Sequence, residues 1–457
     1  MTQPAPFHAS QRIAVVGSGI SGMAAAWYLS AQHEVTLFES AERLGGHTAT
    51  VDVEVGGKPY AIDTGFIVFN DWTYPHFQRL LETLNVAVQP TEMSFSVHET
   101  EADFEYNGHT LASLFAQRRN LLRPAFYRLL SDIMRFNREA TKDLDSERLP
   151  ANMTLGEYLD RNGYSDAFQR RYLLPMGAAI WSASINDLRA FPLTFFVRFF
   201  RNHGLLSVSD RPQWYTLIGG SRAYIPALTA PYAARIRLNT PVSAIQRDST
   251  GVTLTTPSGE ERFDQVVLAC HSDQALSMLS DASPAERDIL GAMPYQDNDV
   301  VLHTDTRLLP RRQRAWASWN YRLDQRDAQA RVSVTYDMNI LQRLEADTTF
   351  CVTLNDSESI DPAKVLRRFT YAHPQFTLEG YAAQQRHGEI SGAPSTFGRT
   401  HFCGAYWRNG FHEDGVWSAL RVARALGCDE AAPPLDAPTA LPAHELMPHA
   451  GVGDGLG

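Results

Sequence analysis

The first forty residues of the chain alternate between short apolar runs and small or polar breaks. The apolar run Arg12 to Val16 ends at a glycine, which predicts a short buried strand. A glycine-rich turn, Gly17 to Gly22, follows, and Met23 to Ala31 then predicts a helix. Val35 to Phe38 predicts a second strand, which ends at the acidic Glu39. This order of strand, turn, helix, strand and acid indicates a Rossmann-like unit.

Each part of this unit has a physical task in dinucleotide binding. Gly17 permits the tight turn, Gly19 lets the backbone approach a pyrophosphate, and Gly22 allows close packing of helix on strand. The helix N-terminus offers free N–H groups to phosphate, and Glu39 can accept hydrogen bonds from ribose hydroxyls. Because all the parts are in order, we expect a functional site rather than a chance match. The predicted nucleotide contacts are Gly17, Gly19, Ile20, Ser21, Gly22 and Glu39.

The segment from Glu39 to Thr48 resembles the E-x-x-x-R-x-G-G extension of the flavin amine oxidase superfamily, to which phytoene desaturases and protoporphyrinogen oxidases also belong. The resemblance implies a bound FAD, with Arg43, Gly45 and Gly46 against its pyrophosphate and ribityl chain. Paired glycines remove side chains where backbone must approach a ligand closely. Asp63 to Phe66 is similar to the superfamily's D-x-G segment beside the flavin ring, which adds Gly65 to the implied contacts.

The far end of the chain resembles the part of this superfamily that closes the FAD site. His401 to Ala405 is similar to its strand-plus-glycine, and Gly410 to Ala419 is similar to the helix whose N-terminus points at the flavin. Ala405 stands where the superfamily has an acidic residue, and we expect Glu413 or Asp414 to substitute for it. The implied contacts here are Gly404, Glu413, Gly415 and Val416.

Two further segments complete the resemblance and imply a discontinuous organisation. Pro241 to Ile245 resembles the strand whose backbone, around Val242, clamps the adenine, and Phe263 to Ala269 resembles the strand that returns to the nucleotide domain. The FAD-binding domain would comprise residues 10–70, 212–283 and 395–428. It would be interleaved with a substrate domain of residues 71–211 and 284–394, built from a mixed sheet and helices. The expected fold class is therefore α/β, or α+β overall.

Within the superfamily, Ala317 to Tyr321 and Tyr371 to Pro374 resemble segments of the bacterial predicted amine oxidases. Those proteins often accompany methyltransferases of the cyclopropane fatty acid synthase type, which implies a methyltransferase as a functional partner. Fold alone does not specify a substrate. Residues 429–457, rich in Ala, Pro and Gly, predict a disordered tail.

Two apolar segments of the predicted substrate domain each have two interpretations. From Arg118 to Ala140, apolar residues recur at helical spacing among six arginines, which predicts an amphipathic helix. This helix either meets an anionic lipid headgroup, a carrier protein or a membrane, or packs its stripe on the core, the commoner situation. Phe191 to Phe200 repeats phenylalanines at i, i+4 spacing, either to line a hydrocarbon tunnel or to fill the core. The predicted substrate-lining residues are Phe69, Trp181, Phe195, Phe199 and Phe411.

Composition argues against some classes of protein and against some cellular compartments. The net charge of -10 argues against nucleic-acid binding, which needs a basic surface. The four cysteines are widely spaced, which fits a reducing cytoplasm better than a disulfide framework. We find no signal peptide and no apolar run long enough to span a bilayer, so we expect a cytoplasmic protein. A peripheral contact with the inner face of the membrane stays open, and so does the oligomeric state.

Few residues suit a catalytic role. Amine oxidases of the superfamily hold a water near flavin N5 with a buried lysine, yet none of the three lysines (Lys58, Lys142 and Lys364) falls where that residue would. His47 and His412 are the best-placed titratable residues, either as acid/base or flavin-bonding groups or as structural histidines. The sequence has neither a Ser-His-Asp arrangement nor a spaced metal cluster, so no metal is expected. Cys403 lies outside the usual attachment segment, which favours non-covalent FAD.

These observations favour an FAD-dependent oxidoreductase. We expect hydride transfer between flavin N5 and a C–H or C=C of a hydrophobic substrate, as in a desaturase or reductase. The substrate would be a fatty acyl chain, methyl-branched or not, or a polyprenoid, because phenylalanines are many and polar catalytic candidates few. One alternative is an amine oxidase that produces imine and hydrogen peroxide. A second alternative is an FAD-dependent isomerase or mutase without net redox change.

Overall fold

The computed structural model describes residues 10–150, 152–207, 209–323 and 333–428. The predicted tail, residues 429–457, lies outside these ranges. None of the helices within them is both long enough and apolar enough to cross a bilayer. The strands of the described residues are Arg12–Val16 (β1), Glu34–Phe38 (β2), Thr50–Val55 (β3), Lys58–Asp63 (β4), Val68–Asn70 (β5), Val88–Thr91 (β6), Phe95–Glu99 (β7), Phe104–Asn107 (β8), Trp214–Leu217 (β9), Ile236–Arg237 (β10), Ala244–Asp248 (β11), Gly251–Thr256 (β12), Gly259–Phe263 (β13), Gln265–Leu268 (β14), Tyr295–His303 (β15), Trp319–Arg322 (β16), Val334–Asp337 (β17), Cys351–Leu354 (β18), Val365–Pro374 (β19) and Thr400–Phe402 (β20).

The α-helices vary from single turns to six turns in length. They are Ile20–Leu29 (α1), Pro75–Thr83 (α2), Leu111–Leu114 (α3), Pro124–Asp145 (α4), Leu155–Arg161 (α5), Asp166–Phe168 (α6), Leu174–Trp181 (α7), Ile185–Arg189 (α8), Leu193–Asn202 (α9), Ile225–Thr229 (α10), Ser272–Met278 (α11), Pro284–Gly291 (α12), Met338–Leu341 (α13), Leu378–Gln384 (α14) and His412–Ala425 (α15).

A parallel five-stranded sheet has the order β10-β2-β1-β14-β20 and draws its strands from both ends and the middle of the chain. Its central strands are almost wholly buried, as expected for a parallel sheet covered on both faces. The predicted first strand is confirmed, and the second begins one residue earlier than expected. The helix predicted from Met23 begins earlier, at Ile20, because it follows directly on the glycine turn. The expected α/β class with a Rossmann-like sheet is confirmed.

A second, seven-stranded sheet has the order β19-β15-β18-β17-β16-β7-β8. Its neighbouring strands are antiparallel except for the parallel pair β16 and β7, so this sheet is mixed. A cluster of buried aromatic and aliphatic side chains packs between this sheet and helices α4 to α9. The three-stranded meander β11-β12-β13 lies between β10 and β14 in sequence. The domain boundaries given above stay a prediction.

Three predicted segments differ in detail from the structure. The amphipathic segment 118–140 is interrupted at Pro124: Arg118–Leu122 forms a 3-10 turn, and α4 begins at the proline and continues to Asp145. Proline suits the first position of a helix but not its interior, which explains the break. The phenylalanine-rich segment forms α9, from Leu193. Val242 precedes β11, which begins at Ala244, and its buried side chain packs in an apolar cluster with Phe38.

Candidate functional site

The turn between β1 and α1 lies at the carboxyl edge of the parallel sheet, where α/β proteins bind ligands. Gly17 has a φ of +102°, and a Cβ there would lie 2.8 Å from the Ala269 carbonyl oxygen. A Cβ on Gly22 would lie 1.9 Å from the Gly17 carbonyl oxygen, so a side chain is excluded. A Cβ on Gly19 would meet nothing within 4 Å. The open side of the turn is therefore at Gly19, where a ligand could approach the backbone.

The Glu39 carboxylate closes one side of this turn. Its Oε2 accepts hydrogen bonds from the Ser18 backbone N–H (2.9 Å) and hydroxyl (2.5 Å), and its Oε1 accepts one from Ala41 N–H (2.8 Å). Its Oε1 also accepts a hydrogen bond from the exposed Ser40 hydroxyl (3.2 Å), so a ribose hydroxyl could bond Glu39 by taking the place of Ser40. Glu39 thus lies beside the Gly19 turn, as the sequence predicted.

The glycine pair packs on the same turn. Gly45 N–H donates to the Ser18 carbonyl (3.0 Å), and a Cβ on Gly46 would lie 3.3 Å from Gly19 Cα. The Arg43 guanidinium donates to the carbonyl oxygens of Gly46 (2.9 Å) and Thr48 (3.2 Å). Arg43 therefore braces the loop that carries the pair, and its exposed position leaves it accessible to an anion.

Helix α15 reaches the same place from the other end of the chain. A Cβ on Gly415 would lie 2.7 Å from Ile20 Cγ2 and 2.9 Å from Ser21 Oγ, so α1 and α15 cross closely at this glycine. Val416 is buried in the same apolar cluster as Ile20. Gly404 N–H donates to Ser418 Oγ (2.9 Å), which fixes the end of β20 against α15. Two helix N-termini thus converge, which favours a bound anion.

Gly65 and Phe66 form a third segment, which contacts the loop at His47 and the start of α15 at His412. Phe66 N–H donates to the His47 carbonyl (2.8 Å), and a Cβ on Gly65 would lie 2.2 Å from that oxygen. The His412 ring stacks on Phe66 with centroids 3.4 Å apart. The segments that the resemblance places around a flavin ring are therefore in contact with one another.

His412 belongs to a buried hydrogen-bonded group that the sequence did not indicate. Its Nε2 lies 3.0 Å from Thr48 Oγ1 and 3.2 Å from the Tyr224 hydroxyl, and those two oxygens are 2.5 Å apart. Burial, and then the neighbouring His47, keeps the pKa of His412 well below its ordinary value. The ring is consequently neutral at pH 7.

His47 faces the second sheet and lies in a group of aromatic rings. Its ring centroid is 5.4 Å from Tyr371, 5.5 Å from His373 and 6.1 Å from His271. Its Nε2 is enclosed and has no hydrogen-bond partner among the described residues. Burial, and then His373 and His271, lowers the pKa of His47 to about 3. A histidine this hard to protonate is a poor proton acceptor, so the geometry favours hydrogen bonding by neutral imidazole over acid–base work.

His373 and His271 were not predicted as site residues. His373 Nδ1 lies 2.9 Å from Ser182 Oγ, and burial followed by His271 lowers the pKa of His373 to about 4. His271 stacks on Tyr295 at 4.0 Å. The segment Tyr371 to Pro374 was noted in the sequence, but no local signal gave His373 a role. Among the residues of the described ranges, no group of three or more His, Cys, Asp or Glu side chains could hold a metal ion.

Both acidic residues at the start of α15 are hydrogen-bonded within the protein, and their substitution for the acid absent at Ala405 stays a prediction. The Glu413 carboxylate accepts hydrogen bonds from His76 Nδ1 (2.5 Å) and from Phe77 N–H (2.9 Å) at the N-terminus of α2. Asp414 accepts one from Phe411 N–H (2.9 Å), and burial raises its pKa to about 6. The side chain of Glu413, an implied cofactor contact, is thus directed at α2. Its backbone, in the first turn of α15, is the part that a cofactor could meet.

Four of the five predicted substrate-lining residues come together. Trp181 lies 4.7 Å from Phe199 and 5.7 Å from Phe195, and Phe199 stacks on Phe411 at 5.3 Å. Phe69 lies apart, in the cluster of the five-stranded sheet, because β5 pairs with β9 and places its ring against Phe77 and Tyr215.

All three lysines of the chain have solvent-accessible side chains. The Lys58 side chain is 65% exposed and lies 3.9 Å from Asp347, whereas the Lys364 side chain is 42% exposed and lies 3.6 Å from Asp305. Lys142 is exposed on α4. None can therefore hold a water inside the site.

A parallel sheet, a glycine turn after its central strand and a closing helix from the C-terminus are features of dinucleotide-binding folds. A family model described as "Flavin containing amine oxidoreductase" matches residues 20–336, which is well over half of the chain. The chain belongs to this family.

Individual relatives are more distant. Over 271 residues the chain is 27% identical to the protein named "Putative flavin-containing monoamine oxidase AofH" of Mycobacterium tuberculosis. The matched region covers 56% of each chain, so the chain spans about half the length of the curated relatives it matches. A CLA-producing fatty acid isomerase from P. acnes shares its fold with a TM-score of 0.65 at 16% identity, over 91% of this chain and 99% of that one. Cyclohexylamine oxidase from Brevibacterium oxydans IH-35A gives a TM-score of 0.64 at 16% identity, over 91% of this chain and 99% of that one.

Proposed function

We propose that the flavin is FAD and that it is held without a covalent bond. Support for a dinucleotide comes from the open side of the turn at Gly19, the neighbouring Glu39 carboxylate and the converging N-termini of α1 and α15. Attachment through sulfur requires a reactive thiolate. Burial raises the pKa of Cys403 far above its ordinary value and that of Cys270 to about 12, which disfavours attachment at either.

We further propose that the substrate is a hydrophobic molecule whose C–H or C=C bond exchanges a hydride with the flavin. One observation carries this proposal: two adjacent residues belong to different environments. Phe411 stacks on Phe199 within the aromatic cluster, while His412 joins Thr48 and Tyr224 in the buried hydrogen-bonded group. The end of the candidate cofactor site is therefore continuous with an apolar wall, which suits a fatty acyl chain or a polyprenoid.

The chain's own residues would contribute positioning and exclusion of water. Bound flavin supplies the hydride acceptor or donor. The rings of Trp181, Phe199 and Phe411 give an apolar surface against which a hydrocarbon can be oriented. The Nε2 of neutral His47 is enclosed and has no partner within the described part of the chain, so it can hydrogen-bond a polar atom without carrying charge into the site.

Amine oxidation is the second candidate, because the family match and the named relative favour it. The lysines argue against it, since Lys58 and Lys142 are exposed and the partly exposed Lys364 pairs with Asp305.

The two candidates differ in what reduces the flavin. The purified yellow protein is mixed anaerobically with oleic acid, a methyl-branched fatty acid, a polyprenol, putrescine or cyclohexylamine while the visible flavin band is followed. We expect bleaching by a hydrocarbon substrate and none by the amines. Bleaching by an amine, with peroxide on admission of air, would replace our proposal with amine oxidation. A shifted double bond without net bleaching would assign an isomerase, and a colourless protein that takes up no FAD would overturn the cofactor assignment.

Substitution in the apolar wall tests the position of the substrate. Phe411→Leu should slow bleaching by the active substrate about tenfold, because a shortened ring misplaces the reacting carbon. The matched variant Phe263→Leu, buried in a different cluster, should leave the rate unchanged. Equal rates for both variants and the unaltered protein would remove Phe411 from the substrate site.

A further inference from the structure

We infer that the chain docks on the surface of an anionic phospholipid bilayer through one face of its substrate-side helices. This goes beyond the proposed function and does not depend on which substrate is used. The docking face is defined by exposed apolar residues and by cations around them. Its members are Leu111, Leu121, Leu122, Tyr127, Met134, Arg118, Arg119, Arg128, Arg138 and Lys142.

The apolar residues of the docking face are concentrated in a short stretch of chain. Of the eight large hydrophobic residues exposed in the described ranges, five lie between residues 111 and 134. Leu122 is 86% exposed and Leu111 is 78% exposed, while Met134 is 56% exposed. Single exposed apolar residues are ordinary, but a group of them within so short a stretch indicates an interaction site.

The charge of this stretch is opposite to that of the whole chain. Residues 110–131 contain four arginines and no acidic residue, whereas the chain carries a net charge of -10. The exposed positions of α4 recur at helical spacing, and they include Tyr127, Arg128, Met134, Arg138 and Lys142. A helix with cations and apolar residues on its outer face is suited to lie in the plane of an anionic interface.

Three of the acidic residues of α4 accept hydrogen bonds from the inner side of the helix. Asp132 is buried and accepts a hydrogen bond from Ser165 N–H, Glu139 accepts one from the Tyr164 hydroxyl, and Asp143 accepts one from the Tyr158 hydroxyl. These partners lie on the inner side, where the apolar stripe of α4 packs on the core. Cations thus predominate on the outer side of the helix, although Glu139 also lies 3.8 Å from Arg138 and the exposed Asp145 pairs with Arg201.

A bilayer fits this face better than an acidic protein does. The core of a protein interface is depleted in charge and forms a continuous apolar patch. Here the apolar side chains are interspersed with arginines, as in helices that insert side chains between lipid headgroups. An open cavity of about 770 Å³ is lined by Met134, Arg138, Lys142, Asp145 and Leu206 among others; its two cations outnumber its one carboxylate, and it offers room for a headgroup.

Flotation with vesicles tests the inference on the full-length, flavin-loaded protein. We expect binding to vesicles of mixed phosphatidylcholine and phosphatidylglycerol, weaker binding at high salt, and little binding to phosphatidylcholine alone. The double variants Leu121→Glu/Leu122→Glu and Arg118→Glu/Arg128→Glu should each weaken binding by about tenfold or more, since each cation near such a surface contributes about 1 kcal/mol. Unchanged flavin content and thermal midpoint would show that the variants are folded.

Matched changes elsewhere on the surface separate this face from general charge effects. Ile218→Glu and the double variant Arg367→Glu/Arg368→Glu alter equally exposed residues on other elements and should bind as the unaltered protein does. No binding to anionic vesicles, or equal losses in the control variants, would overturn the inference. If gel filtration instead showed self-association that the docking-face variants abolish, without vesicle binding, the face would be assigned to a second copy of the chain.

Discussion

The three glycines of the first turn are constrained by different neighbours. Gly17 and Gly22 are closed in by backbone atoms of Ala269 and of Gly17 itself, whereas Gly19 has an ordinary backbone conformation and open space beyond it. The requirement for glycine at the first two positions therefore comes from packing. At Gly19 the requirement for glycine comes from the ligand that approaches the backbone of the turn.

A substitution at Gly19 should therefore separate binding from folding. Gly19→Val should lower the free energy of unfolding of the flavin-free protein by only about 1 kcal/mol, because a Cβ there meets no atom within 4 Å and the cost is that of a poorer helix N-cap. Bound flavin, measured by its visible absorbance after gel filtration, should be lost. The control variant Gly108→Val also places a side chain in open space and should keep its flavin. Retention of flavin by Gly19→Val would move the pyrophosphate away from this turn.

The same contrast explains which site residues could be predicted. The glycines, Glu39 and their spacing are local requirements of one turn, so the sequence displays them directly. His271 and His373 are about a hundred residues apart and meet near His47 only because the second sheet lies against the first. Thr48 and Tyr224 similarly become partners of His412 through long-range packing. No periodicity within one segment can reveal contacts between residues so far apart in the sequence.

At the scale of elements, Glu413 joins two helices. Its carboxylate satisfies the first N–H groups of α2 from within the first turn of α15, with both side chains of the His76–Glu413 pair almost wholly buried. The N-terminus of α2 has no cap of its own from Tyr74. An otherwise uncapped helix end is thus stabilised by a residue from the far end of the chain.

Loss of this carboxylate should destabilise the fold. Glu413→Ala leaves buried donors without an acceptor and should lower the free energy of unfolding by about 3 kcal/mol, measured by urea titration. Glu413→Gln retains an acceptor oxygen and should lose less. Glu82→Ala removes an exposed glutamate at the other end of α2 and should change stability little. Equal stability of Glu413→Ala and the unaltered protein would mean that solvent satisfies the α2 N-terminus.

Element boundaries were predicted less well than element types. The amphipathic period of residues 118–140 correctly indicated a helix with a buried stripe, including Phe126, Leu129 and Phe136. It did not reveal the break at Pro124, because the apolar spacing continues through the 3-10 turn before it. The same period also cannot distinguish a polar outer face from one that carries exposed leucines and a methionine.

For the whole molecule, burial of titratable groups determines the response to pH. Nine histidines have a lowered pKa with burial as the main cause; they are His47, His98, His203, His271, His303, His373, His387, His401 and His412. Their unfolded pKa is about 6.5. Below that pH the unfolded chain binds more protons on these groups than the folded chain does, so stability falls as pH falls.

Buried carboxyl groups act in the opposite direction but are fewer. Burial raises the pKa of Asp63, Asp337 and Asp414 to about 6 and also raises that of Asp71. Their contribution to stability is full at low pH and is lost as pH rises through about 6. With nine histidines against four carboxyls, the histidine effect is the larger between pH 6.5 and 5.

We therefore expect the urea midpoint to fall steadily as the pH is lowered from 7.5 through about 6.5 to about 5, since each extra proton on the unfolded chain is worth about 1.4 kcal/mol per pH unit. His401 gives the sharpest test, because its two ring nitrogens are buried and lack a hydrogen-bond partner within the described structure. His401→Leu should reduce the slope by about one proton and stabilise the protein most at low pH. His109→Leu removes an exposed histidine and should leave the slope as it was. A midpoint that rises on acidification would show that the buried carboxyls, rather than the histidines, control the folding equilibrium.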